Sequence, residues 1–123
     1  MPKILIVDDS KTQRTLLREL LENSGFSVVG EAENGEEGLM KFKELRPDLV
    51  TLDITMPKIN GIECLSLIKH EDKDAKVVMI TSENQKSIMV DALKKGAEDF
   101  IIKPYDPGRV IETLKEVLDT EFS

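Results

Sequence analysis

The feature that most constrains this chain is a regular alternation of short aliphatic runs with longer stretches whose apolar residues recur at helical spacing. Lys3 to Val7 reads as a strand buried on both faces. Ser10, with Gln13 three residues on, has a capping-box pattern, and Leu16, Leu17, Leu20 and Leu21 then mark a helix stopped at Gly25. Ser27 to Ala32 is a second strand. Asn34 with Glu37 opens a helix carrying Leu39, Phe42 and Leu45, with Pro47 beyond its end. Leu49 to Leu52 is the third strand, and Asn60 caps a helix bearing Ile62, Leu65 and Ile68. Lys76 to Ile80 is the fourth strand, running out at Thr81. Ile88, Met89, Ala92 and Leu93 mark the next helix, stopped by Gly96. Phe100 to Ile102 forms the fifth strand, and Asp106 with Pro107 starts a last helix carrying Val110, Leu114, Val117 and Leu118.

Strands and helices that alternate in this way pair in parallel through right-handed crossovers. The fold class expected is α/β, a doubly wound, flavodoxin-like five-stranded parallel sheet of order 2-1-3-4-5 with five helices. The 123 residues suit one domain, expected to span 1–123 without an output domain, and one core of that size folds without disulfides. The single Cys64 has no partner for an internal disulfide, and no signal peptide precedes the first strand; both point to the cytoplasm. No apolar stretch is long enough for membrane insertion. With 24 acidic against 17 basic residues the net charge is −7, which repels nucleic-acid phosphate, so protein partners are expected.

Polar residues collect where the strands end. Strand one ends in Asp8-Asp9, strand three in Asp53, strand four in Thr81 and strand five in Lys103. In an open α/β sheet ligands bind beyond the carboxyl ends of the strands, at the reversal of strand order, here between strands one and three. Three neighbouring carboxylates repel one another unless a cation balances them, and an all-oxygen donor set points to Mg²⁺, with Mn²⁺ possible. A metal, the Lys103 ammonium and the Thr81 hydroxyl together suit a phosphoryl group, and a carboxylate is a competent nucleophile for one.

Asp8-Asp9, Asp53 with Met56-Pro57 and Asn60-Gly61, Thr81-Ser82 and Lys103-Pro104-Tyr105 together resemble the receiver-domain family of two-component signalling, over nearly the whole chain. Asp-Ile-Thr-Met-Pro at 53–57 and Gly-Ala-Glu-Asp-Phe-Ile-Ile-Lys-Pro at 96–104 resemble its stand-alone chemotaxis members. The resemblance implies Asp53 as phospho-acceptor. It implies Mg²⁺ held by Asp9 directly, by Asp8 mainly through water, by Asp53 and by the backbone carbonyl of Thr55. Lys103 would hold the phosphoryl group, with a cis peptide to Pro104, and Thr81 would swing toward it. Phe100 stands at the aromatic switch position, and Pro57 and Gly61 shape the loop. Many relatives carry Asn where this chain has Thr55.

The function so implied is a response regulator that takes a phosphoryl group from a histidine kinase and switches its helix 4–strand 5–helix 5 surface, here including Lys86, Lys94, Lys95, Ile101 and Tyr105. It would catalyse only its own phosphorylation and dephosphorylation. The chemotaxis likeness implies the kinase CheA as donor and the flagellar motor switch protein FliM as target, with a monomer that can dimerise on activation. A single-domain phosphorelay intermediate, passing its phosphate to a histidine phosphotransfer protein, is the alternative. A flavin-binding flavodoxin is disfavoured by the carboxylates after strand one. An aspartate-nucleophile phosphatase of the haloacid dehalogenase type wants a second Asp where Thr55 stands. Taken singly, Asp8-Asp9 reads as a helix cap, Lys103 as a solvated charge, Phe100 as core, Cys64 as a small hydrophobe and His70 as solvated surface.

Overall fold

The computed structural model describes residues 1–119; the last four residues of the expected 1–123 domain lie outside the described residues. Its elements are β1 (Lys3–Val7), α1 (Lys11–Asn23), β2 (Ser27–Ala32), α2 (Gly35–Leu45), β3 (Leu49–Leu52), α3 (Gly61–Glu71), β4 (Val77–Thr81), α4 (Lys86–Lys94), β5 (Asp99–Ile102) and α5 (Pro107–Asp119). The five strands form one parallel sheet in the order β2-β1-β3-β4-β5, as the alternation requires. The sequence reading differs from these strand bounds at two places: β4 runs from Val77 to Thr81, leaving Lys76 before it, and β5 begins at Asp99, one residue before Phe100.

Side chains alternate across the sheet and divide the core into two layers. Leu5, Val7, Val50, Leu52, Val77, Met79 and Phe100 pack with Phe42, Leu65 and Ile68 on the side of α2, α3 and α4. Ile4, Ile6, Leu49, Val78, Ile80 and Ile101 pack with Leu17, Leu21, Val110 and Leu114 on the side of α1 and α5. Burial on both faces is why β1, β3 and β4 read as continuous, mostly aliphatic runs, whereas the edge strand β2 carries Ser27, Gly30 and Glu31.

The helix starts follow local hydrogen-bond chemistry. Ser10 Oγ accepts from Gln13 N, Asn34 Oδ1 from Glu37 N and Asn60 Oδ1 from Glu63 N, at 3.2, 2.8 and 3.0 Å. The reciprocal half of the capping box at α1 is supplied differently: Ser10 N donates to Asp8 Oδ1 at 2.9 Å. The edge strand β2 is covered by charged side chains. Glu31 accepts from Arg14 Nε at 3.0 Å and Arg18 Nη1 at 2.5 Å, and Arg18 and Lys41 donate to the carbonyls of Val28 and Glu31. This ties α1 and α2 to an edge that would otherwise offer open pairing groups.

The layering corrects one expected surface residue. Ile101 is buried against α1 and α5, whereas Ile102 is 38% exposed. The period of two in β5 turns Ile101 inward, so the exposed apolar group of this strand is its neighbour. Leu16, assigned to the apolar face of α1, is 52% exposed and lines a surface cleft instead of the core.

Candidate functional site

Parallel strands that start in register also end in register, so the first polar residue after each aliphatic run emerges beside its neighbours. The ladder continues one residue past the strands: Asp8 N donates to Ala32 O, Asp53 N to Val7 O and Lys103 N to Thr81 O, at 3.0, 3.0 and 2.8 Å. These bonds fix the backbone beneath three charged side chains.

Asp8, Asp9 and Asp53 each present a carboxylate oxygen to a common point, and these oxygens all lie within 4.8 Å of one another. Asp8 and Asp53 are buried and Asp9 is exposed. Lys103 Nζ lies 2.5 Å from Asp8 Oδ2 and 3.7 Å from Asp53 Oδ2. One ammonium against three carboxylates leaves negative charge uncompensated, and the available donors are all oxygen. The residues therefore fit a small hard divalent cation such as Mg²⁺, with the exposed side at Asp9 open to its water ligands.

Burial pushes the Asp53 carboxyl above the usual carboxylate range. The Thr81 hydroxyl and the Lys103 ammonium pull it back, Asp8 adds to the rise, and the Ile54 N–H, donated to Oδ1 at 2.7 Å, favours the charged form. Burial dominates, so a proton or a cation has most to gain at this oxygen pair. Asp8 is at once a cap and a charge partner, since Oδ1 accepts from Ser10 N while Oδ2 faces Lys103.

Thr81 is fully buried, its Oγ1 accepting from Glu83 N at 3.3 Å with Ile54 N at 3.5 Å. Phe100 is also buried, its ring inside the layer under α2, α3 and α4. Thr55 lines the cleft with an exposed side chain, and Pro57 is exposed in the loop before α3. The peptide between Lys103 and Pro104 is cis. Gly61 N donates to Ile54 O at 2.8 Å, and a Cβ at Gly61 would lie 2.0 Å from Asp53 O. No side chain fits there, so glycine lets α3 clamp the backbone that carries Asp53.

The cleft encloses about 780 Å³ between Asp53, Lys103 and the apolar side chains of Leu16, Leu20, Pro104 and Pro107. Sequence reasoning did not find Arg14, whose Nη1 donates to Asp8 O at 2.7 Å while its Nε holds Glu31. Arg14 thereby ties the end of β1 to β2 from the first turn of α1, and no motif or spacing announces either bond. Cys64 is buried with its thiol pushed up to about 12, consistent with packing rather than reactivity. His70 is exposed near the end of α3 and is not among the residues lining the cleft.

Residues 4–115 match the family model described as response regulator receiver domain. The chain belongs to that family. It is similar to the chemotaxis protein CheY of Listeria monocytogenes, 49% identical, with 94% of this chain and 98% of that protein covered. It is 45% identical to the chemotaxis protein CheY of Bacillus subtilis, over 95% of this chain and 98% of that one. Among solved structures, a chain of the CheX-CheY-BeF3-Mg²⁺ complex from Borrelia burgdorferi superposes with a TM-score of 0.91. That chain is 42% identical, with 94% of this chain and 87% of that one covered. The family and these relatives make the chain a CheY-like receiver. Among the described residues no helix is long and apolar enough to cross a membrane.

Proposed function

We propose that Asp53 accepts a phosphoryl group from a histidine kinase and that the charge so added switches a protein-binding surface formed by α4, β5 and α5. The observation that carries this reading is the convergence of Asp8, Asp9, Asp53 and Lys103 on one rim of the sheet. An Asp53 carboxylate oxygen forms the new bond to phosphorus, while the bond from phosphorus to the donor's imidazole nitrogen breaks and the imidazole keeps the electron pair. Lys103 Nζ, the Ile54 N–H and the Thr81 hydroxyl are the donors near Asp53 that receive the phosphoryl oxygens. Asp8, Asp9, Asp53 and the Thr55 carbonyl would hold Mg²⁺, which supplies charge neutralisation at the phosphoryl oxygens when bound. The Borrelia relative's complex with BeF3 and Mg²⁺ supports this assignment.

The chain catalyses only its own phosphorylation and dephosphorylation. The chemotaxis relatives support CheA as donor and FliM as target, with the cytoplasm as the place of action. The test is transfer from CheA autophosphorylated with labelled ATP, in the presence of Mg²⁺. Label is expected to move to this chain and not to Asp53→Asn, and phosphorylation is expected to tighten binding to FliM. Label that passes onward to a histidine phosphotransfer protein, with no change in FliM binding, would replace the chemotaxis reading with a phosphorelay.

A further inference from the structure

Thr51 is the one polar side chain in β3, paired across to Ile6 of β1 and Val78 of β4. It lies on the face that packs against α1 and α5, where its neighbours are aliphatic. The residue is 1% exposed, and its Oγ1 finds no hydrogen-bond partner among the described residues. Valine has nearly the same shape and suits a strand interior better, so packing alone gives no reason for a hydroxyl. A buried hydroxyl without a partner is a net cost.

The side chain does not meet solid packing. Thr51 lines a small cavity of about 10 Å³ that adjoins the site through Asp8 and Lys103 and is otherwise lined by Gln13, Tyr105 and aliphatic side chains. That is roughly the room one water needs, and buried waters occupy cavities that offer them two or more polar partners. Lys103 supplies such a partner. Its ammonium carries three N–H donors. Asp8 Oδ2 accepts one at 2.5 Å, and Asp53 Oδ2, at 3.7 Å, is beyond hydrogen-bond length. A donor therefore remains for an acceptor in the cavity.

We propose that this cavity holds one buried water joining the Thr51 hydroxyl to the Lys103 ammonium, which makes Thr51 a positioning residue for Lys103. The water accepts from Lys103 and donates to Thr51 Oγ1, so one molecule satisfies both groups. Anchored from behind, the ammonium stays between Asp8 and Asp53 rather than following Asp8 alone. This deepens the phospho-acceptor reading and rests on it for the part Lys103 plays in transfer.

The test uses the full chain as wild type, Thr51→Val and Thr51→Ser, with two readouts. Nuclear Overhauser contacts between water and cavity protons should appear in wild type and Thr51→Ser and vanish in Thr51→Val. Phosphorylation by acetyl phosphate with Mg²⁺ should slow roughly fivefold in Thr51→Val, the worth of about one hydrogen bond. Mg²⁺ affinity should stay unchanged, and Thr51→Ser should run close to wild type. A dry cavity in wild type overturns the proposal, as does a Thr51→Val rate equal to wild type. An equal loss of Mg²⁺ affinity, or a Thr51→Ser variant as slow as Thr51→Val, overturns the positioning role by placing the effect in packing. Wild type that shows the water but takes no phosphoryl group on Asp53 contradicts the acceptor reading instead and leaves the water site standing.

Discussion

Asp53 carries an electrostatic cost that its surroundings only partly offset, because burial raises its pKa against the pull of Thr81 and Lys103. A carboxyl whose pKa is raised by folding holds its proton more tightly in the native state, so ionising it costs stability. That penalty is absent below the ordinary carboxylate value, grows as pH rises through it, and is complete above the raised value. Asp53→Asn should therefore melt higher than wild type in metal-free buffer at about pH 7 and lose that advantage at about pH 3. Thermal unfolding across this range checks it; an advantage that persists in acid would point to a cause other than ionisation. Asp9 tests the metal half of the site, since it is the exposed member of the carboxylate group. Asp9→Ala should weaken Mg²⁺ binding at least roughly tenfold by calorimetry, the scale seen when the shell around a bound metal is disturbed. Undiminished affinity would remove Asp9 from the ligand set.

Among the helices, α4 is the least anchored: Ala92 is its one buried residue, and its N-cap, Gln85, makes no side-chain capping bond. Val90 and Leu93 on it are exposed. Elements that move in a switch are drawn from the low-stability end of a structure, and α4 meets that description. Amide exchange should be faster in α4 than in α1, α2, α3 or α5. Gln85→Asp, which adds the absent cap, should slow that exchange and stabilise the chain by about 1 kcal/mol. Unchanged exchange in the variant would mean that capping does not govern this helix. The same element shows where sequence reading stops. Ser10, Asn34 and Asn60 are legible as caps because a side-chain acceptor precedes a helical pattern. At the start of α4 the cap position falls on Gln85, which makes no capping bond. Only the periodicity of Ile88, Met89, Ala92 and Leu93 marks the helix, and of these Leu93 proves exposed. Ile101 and Ile102 are indistinguishable by type, and their opposite exposures follow from the phase of β5 in the sheet.

For the whole molecule, strand order was legible because strands alternate with helices and the runs of β1, β3 and β4 are mostly aliphatic and buried on both faces, which admits few parallel topologies. The rim of Asp8, Asp9, Asp53, Thr81 and Lys103 was legible because each follows or ends such a run. Arg14 and Thr51 were not, since one acts through a side-chain bond to the backbone of Asp8 and the other through a cavity, and no spacing encodes either. Switching likewise belongs to this scale. Phe100 is inside in the conformation described and Thr81 lies beside Ile54 N, the arrangement that the proposed phosphorylation of Asp53 would favour. Beryllium fluoride, standing in for the phosphoryl group, should shift amide resonances as far as Tyr105 in wild type. In Thr81→Ala those distant shifts should collapse while shifts beside Asp53 persist, and identical distant shifts would exclude Thr81 as the coupling residue. The account as a whole rests on where the phosphoryl group goes. Treatment with acetyl phosphate and Mg²⁺, followed by mass spectrometric mapping, should place a hydroxylamine-labile phosphoryl group on Asp53, with none taken up by Asp53→Asn. A stable phosphate on Thr81, Ser82 or His70 instead would contradict it.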